Sequence, residues 1–157
     1  MADQRTSLSE SETDSILRRH ETGVLSLARE NEPYSVPISY GYDAEHRRFY
    51  LRLVSTPESK KRLFLSSSSL ARFVVYEEDA PIYRSIITVG TLTEIPRDDL
   101  TSEHIEQYGQ GKRPLFEIWE ETRSDLDVRL YRLMPESISG RELEIDRADV
   151  PSEWGVS

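Results

Sequence analysis

The sequence contains no cysteine among its 157 residues. This absence excludes thiol nucleophiles, disulfide bonds, iron–sulfur clusters and thiolate zinc sites. The side-chain nitrogens left for a metal belong to three scattered histidines, which we interpret as solvated rather than ligating: His20, His46 and His104. Long apolar runs are also absent, because no stretch approaches the roughly 20 residues of a membrane helix and the polar start lacks a signal-peptide core. We therefore expect a cytoplasmic protein with no metal and no membrane partner.

Lysine is scarce. It supplies only three of the 20 basic residues, and the 29 acidic residues give a net charge of -9. Nucleic acids and anionic lipids are bound largely through neutralisation of phosphate by lysine and arginine, so neither is an expected partner. An acid-rich, lysine-poor composition is typical of halophile proteins, and we interpret this chain in that way. Because the Debye length falls to about 3 Å at 1 M salt, a charged ligand must then be held by direct contacts.

Glycine-rich phosphate loops are missing too, since neither Gly-x-Gly-x-x-Gly nor Gly-Lys-Ser/Thr occurs. Their absence excludes the two commonest nucleotide-binding devices. What the chain does contain is a series of short apolar stretches of alternating pattern. They predict strands at 24–28, 34–42, 48–54, 70–76, 82–95 and 127–134.

Short helices are expected between and before these strands, at 7–20, 58–65, 98–108 and 115–121. Gly90, inside the longest strand, suggests a bulge, and Gly140 a turn. Consecutive strands that do not alternate with helices predict a mainly β protein, an antiparallel barrel with peripheral helices. We expect one domain over 1–157, with flexible ends at 1–6 and 150–157.

Segment 47–62 reverses the charge of the chain. It carries five net positive charges, whereas the remainder carries fourteen negative ones. Arginine forks, lysine ammonium groups and nearby hydroxyls such as that of Ser59 could hold a phosphate dianion. The alternative is that these cations only balance surrounding acids on the surface. The basic residues are Arg47, Arg48, Arg52, Lys60, Lys61 and Arg62.

A proline interrupts the strand predicted at 34–42. Pro37 has no N–H for a sheet hydrogen bond, so this strand should lie at an edge or a bulge, or leave backbone groups free. Such groups could meet the edge of a flat heterocycle, with the Ser39 hydroxyl adding a contact. An ordinary edge strand is the alternative.

The order of these motifs resembles the pyridoxamine 5′-phosphate oxidase-like flavin-binding split-barrel family, in the branch that includes nitroimidazole-resistance proteins. The resemblance covers about residues 16–141. It implies a six-stranded antiparallel split β-barrel that forms a homodimer and binds FMN in two equivalent clefts at the subunit interface. The segments that carry it are 23–28, 33–40, 49–52, 59–61, 73–76, 83–85, 89–92 and 137–140.

The resemblance also implies roles for particular residues. Lys61, or Lys60 if the register shifts by one, and Arg52 would contact the FMN phosphate. Two further groups would face the isoalloxazine ring: Val36, Pro37, Ile38 and Ser39 from the same subunit, and Tyr83 and Arg84 from the partner subunit.

The function implied is a flavin-dependent oxidoreductase acting on a small molecule. Pyridoxamine phosphate is not the expected substrate, because the family's substrate-binding Arg and His pattern is missing after Gly140, where only Arg141 and Arg147 follow. Two alternatives remain open. The same fold could bind the deazaflavin F420, or the protein could be a non-catalytic flavin- or haem-binding module.

Overall fold

A computed structural model describes residues 4–55, 64–65, 70–96 and 127–145. The helices predicted at 98–108 and 115–121, and most of the one at 58–65, lie outside these residues. The described elements are β1 (Gln4–Ser7), α1 (Glu10–Arg19), β2 (Thr22–Arg29), β3 (Glu32–Asp43), β4 (Arg48–Ser55), β5 (Leu70–Asp79), β6 (Ile82–Glu94) and β7 (Asp127–Glu144).

The strands pair in the order β1-β7-β4-β3-β2-β5-β6, and β6 pairs in turn with β7. Strands β2 to β7 therefore close into a six-stranded barrel. Strand β1 pairs with residues 141–144 of β7, whereas β4 pairs with residues 127–133 of the same strand. Every pairing is antiparallel. The prediction of a six-stranded antiparallel split barrel is confirmed, and all six strands predicted from the apolar pattern are present.

The barrel core is built from the inward-facing half of each strand's alternating pattern. Its centre is aromatic, with the rings of Tyr40, Phe49 and Phe73 meeting edge to face at centroid distances of 5.2 to 5.8 Å. All three side chains are completely buried. Such a core contributes through burial of apolar surface, worth roughly 25 cal/mol per Å².

Helix α1 packs against one end of the barrel. Ser9 and Glu12 form a capping box at its start, and Ile16 and Leu17 are buried in the core cluster. The Tyr40 hydroxyl donates a 2.7 Å hydrogen bond to the Leu17 carbonyl, which ties the helix to β3. The described part of the chain has no helix with the length and apolar character needed to cross a membrane.

The bulge predicted at Gly90 is confirmed. Val89 pairs with Ser137 but Gly90 pairs with Pro135, so Glu136 is an extra residue on β7. A Cβ on Gly90 would clash with the Met134 carbonyl oxygen, which explains why glycine is needed where β6 approaches β7 this closely.

The expectation of a turn at Gly140 is wrong. Gly140 does not start a turn, because β7 continues to Glu144 and pairs with β6 and β1. This glycine instead lets α1 approach, since a Cβ would lie 2.8 Å from the Thr13 hydroxyl. Strand β1, Gln4–Ser7, overlaps the end expected to be flexible at 1–6 and pairs with β7.

Candidate functional site

The barrel is split between β3 and β4. Residues 40–43 of β3 pair with β4, whereas residues 32–39 pair with β2. Strand β4 pairs with β7 from Phe49 to Ser55, and from Arg52 onward β7 is its one partner among the described strands. Within the described residues, the two strands thus diverge after the pair Tyr40 and Leu51. Pro37 lies in the diverging half of β3, so the prediction of an edge position for this proline is confirmed.

The residues of this edge do not all face the same way. Ile38 is 5% exposed and belongs to the core cluster, and Val36 packs against that cluster. Pro37 and Ser39 alternate with them on the other face of β3, where Pro37 is exposed but Ser39 is buried and only 3% exposed. A flat ligand placed outside the barrel would therefore meet the side chain of Pro37 but only backbone groups of Val36 and Ile38, and the Ser39 side chain is covered by protein.

Arg52 is the first residue of β4 beyond the last β3–β4 pair, as Ser39 is the first on β3. Its neighbours Leu51 and Leu53 are buried in the core, so Arg52 lies on the outer face. The arginine is half-buried, and both it and Ser39 have interaction partners. Arg52, the buried Ser39 and an open strand edge thus lie at one level of the split. Ser59, Lys60 and Lys61 lie outside the described residues.

Arg47, another member of the basic segment, faces elsewhere. Its guanidinium lies 3.2 Å from a Glu10 carboxylate oxygen and 3.7 Å from Asp14, both on α1. Asp14 also accepts a 2.6 Å hydrogen bond from the Tyr42 hydroxyl. Burial and this carboxylate together raise the pKa of Tyr42 to about 12. Arg47 therefore helps to attach α1 to the barrel, and charge balance is its role.

Tyr83 and Arg84 are not brought to this edge within one chain. They lie on β6, and β2 and β5 separate β6 from β3. The Arg84 guanidinium donates to Glu77 at 2.9 Å and, through Nε, to Glu142 at 2.7 Å. These hydrogen bonds to Glu77 and Glu142 raise the pKa of Arg84.

Glu77 is the centre of an ion-pair cluster that was not predicted. Its two carboxylate oxygens accept hydrogen bonds from Arg19, at 3.0 and 2.7 Å. His20 Nε2 lies 2.7 Å from Glu77 Oε1, the oxygen that Arg19 Nε also contacts. Hydrogen bonds from Arg19, His20 and Arg84 lower the pKa of Glu77 to about 2. The sequence did contain a signal for this cluster. Glu77 occupies the next inward-facing position of β5 after Phe73 and Val75, where an apolar residue would be expected.

A shallow groove of about 390 Å³ lies beside this cluster, lined mainly by α1 and by Arg84. Its two arginines are Arg19 and Arg84, and Glu77 and Glu142 neutralise both. The groove therefore lacks the free positive charge that a phosphate needs.

The histidines contribute no metal centre to the described part of the chain, where no group of three or more histidine, aspartate or glutamate side chains converges. His46 lies in the β3–β4 turn, with Nδ1 2.8 Å from Asp43. His104 lies outside the described residues.

The fold and its open edge define a split-barrel protein. Residues 9–142 match the sequence model of a family described as pyridoxamine 5′-phosphate oxidase. The chain belongs to that family, because the match covers most of its length. No curated protein sequence matches the chain.

Solved structures with the same fold include three from different bacteria. A candidate pyridoxamine 5′-phosphate oxidase from Corynebacterium glutamicum is 19% identical, with a TM-score of 0.70 and coverage of 94% of this chain and 98% of the other. An FAD-binding protein from Mycobacterium smegmatis is 17% identical (TM-score 0.66, coverage 90% and 100%). A candidate 5-nitroimidazole resistance protein from Bacteroides thetaiotaomicron is 14% identical (TM-score 0.68, coverage 92% and 91%). At these identities the likeness shows the fold.

Proposed function

We propose that this protein binds FMN at the split between β3 and β4 and uses it to oxidise or reduce a small molecule. The observation that carries the proposal is the divergence of the two strands after Tyr40 and Leu51, which sets an open strand edge beside Arg52. Membership of the pyridoxamine 5′-phosphate oxidase family supports it.

The open edge suits a flavin ring. Residues 32–39 of β3 are paired with β2, so in this part of the described structure their other side faces the split. Backbone N–H and C=O groups there match the donors and acceptors along the polar edge of an isoalloxazine. Pro37 supplies a flat apolar contact on the outer face.

Arg52 suits the flavin phosphate, because a guanidinium fork hydrogen-bonds two phosphate oxygens at once. Ser59, Lys60 and Lys61 follow it along the chain, and we assign the rest of the phosphate site to them. The bound flavin would supply the electron-transfer chemistry. The protein's own residues would hold and orient it and limit access to it.

A homodimer is the proposed assembly. The outer faces of four adjacent strands carry an apolar row, in which Pro37 pairs with Val24, Val24 with Val74, and Val74 with Ile87. Tyr76 on the same face is 59% exposed. A second copy that covered this row would bury it, and would also bring Tyr83 of the partner subunit towards the ring.

The test compares FMN with riboflavin, which lacks the phosphate. Replacing Lys60 and Lys61 with alanine should weaken FMN by about 1.5–3 kcal/mol per lysine and leave riboflavin nearly unchanged, because only the charge-assisted contacts are lost. Flavin fluorescence quenching measures both affinities. Lys112→Ala, which removes the third lysine, is the control.

Equal losses for FMN and riboflavin would contradict the assignment of these lysines to the phosphate. Titration with FAD and with F420 in the same assay separates the alternative cofactors. If the deazaflavin bound and FMN did not, the FMN proposal would be wrong.

A further inference from the structure

Three arginines share the outer face of the adjacent strands β4 and β7. Arg48 and Arg52 alternate with the inward-facing Phe49 and Leu51 on β4. Arg132 alternates with the buried Leu133 on β7 and pairs directly with Tyr50. In this register Arg132 is the diagonal neighbour of both β4 arginines, a separation of about 7–8 Å that long side chains can bridge.

Two of these arginines each have a buried N–H donor that is unpaired in the described structure. The Nε atoms of Arg48 and Arg132 are buried and have no hydrogen-bond partner among the residues that the structure describes. Arg47 also has such an Nε, but its terminal nitrogens contact Glu10 and Asp14. Within the described part of the chain, Arg48 and Arg132 have no such ion pair. A buried donor without an acceptor is costly, so an acceptor from a ligand would stabilise this arrangement.

The acids closest along the neighbouring strands are already engaged. Asp43, which pairs with Arg48 across β3 and β4, is 6% exposed and binds His46 at 2.8 Å. Glu94, next to the Arg132 partner Thr93, binds Arg129 at 3.3 Å. Two like charges are therefore placed side by side in a protein of net charge -9 without using the available carboxylates.

We propose that Arg48 and Arg132 form a subsite that binds a phosphate or pyrophosphate group of a small-molecule ligand. Two guanidinium forks on one face match the several oxygens of such a group, and the two Nε–H donors point to acceptors of that kind. This subsite adjoins the FMN phosphate site that we assign to Arg52 and the lysines, but Arg48 and Arg132 are not part of that site, and pyrophosphate binding to them does not require flavin. Its ligand is either the second phosphate of a dinucleotide or a separate phosphate-bearing molecule.

The test titrates the full-length protein with inorganic pyrophosphate. In the wild type, the Nε–H NMR signals of Arg48 and Arg132 should shift on binding. Arg48→Gln and Arg132→Gln should each weaken pyrophosphate about tenfold, which corresponds to about 1.4 kcal/mol. Arg18→Gln, which removes an exposed arginine of α1, is the matched control and should have little effect.

If a glutamine variant does not fold, Arg132→Lys, which keeps the charge, tests the site instead. This variant should retain part of the affinity for pyrophosphate, because a lysine makes fewer hydrogen bonds than an arginine fork. Static Nε–H signals, or equal losses in Arg18→Gln, would overturn the proposal. So would variants that lose dimerisation but keep pyrophosphate binding, since the arginines would then face carboxylates of a second copy.

A second arm identifies the source of the phosphate. If the two glutamine variants weaken FAD but not FMN, the ligand is a dinucleotide. If pyrophosphate is weakened while both flavins bind as before, the ligand is a separate phosphate compound. Absence of all flavin binding would contradict the proposed function but would leave the pyrophosphate result to decide on this subsite.

Discussion

Arg84 and Arg132 lie on the neighbouring strands β6 and β7, yet their surroundings differ. Arg84 continues an inward-facing row at the barrel end beside α1, where Glu77 and Glu142 both accept its hydrogen bonds. Arg132 is on the outer face, opposite Tyr50 and beside two other arginines, and its buried Nε has no partner in the described structure. The same residue type thus stabilises the fold in one region and is available for a ligand in the other.

The largest expected effect on stability comes from removing the Glu77 carboxylate, which Arg19 and Arg84 share. Glu77→Gln leaves Arg19 and Arg84 without their common carboxylate. Since the pKa of Glu77 falls from 4.5 to about 2 and Arg19 is half-exposed, we expect a loss of about 2–3 kcal/mol in the free energy of unfolding at neutral pH. Urea denaturation measures it, with the exposed Glu78→Gln as control. Equal effects of the two variants would remove the distinction between the regions.

The same carboxylate predicts a pH dependence. Its folded-state pKa lies below its unfolded-state value, so its contribution is complete above about pH 4.5 and is lost as the pH falls towards 2. The stability difference between wild type and Glu77→Gln should narrow across this window. A difference that stays constant down to pH 2 would show that the ionised carboxylate is not its source.

Substitution of each of the two arginines should have a smaller effect on the free energy of unfolding. Arg84→Gln should cost about 1–2 kcal/mol, because it leaves Glu77 and Glu142 with fewer donors. Arg132→Gln should change stability by less than about 0.5 kcal/mol, since no described carboxylate loses a partner. Chemical denaturation of the two variants at one pH is sufficient. A larger loss for Arg132→Gln than for Arg84→Gln would reverse our assignment of the two regions.

Much of the fold could be predicted because its signals are local. Alternating apolar residues marked the strands, the charge distribution of 7–20 marked α1, and Pro37 marked an open strand edge by its missing donor. Gly90 marked the bulge for a similar reason. Gly140 was misread because its purpose is a close approach to Thr13, which is distant in the sequence.

The charged sites were harder to predict, because they join residues that are far apart along the chain. Glu77 pairs with Arg19, 58 residues earlier. Arg132 joins Arg48 and Arg52 only through the β4–β7 pairing, so a charge count over segment 47–62 could not find it. That count did identify Arg52, but it also included Arg47, which the structure turns towards α1.

Whether the protein has a flavin site can be decided from the absorption spectrum of the purified protein, recorded after gel filtration with added FMN. We expect the visible band of oxidised flavin to elute with the protein peak. A protein peak without that band, when free FMN elutes separately, would contradict a flavin site between β3 and β4.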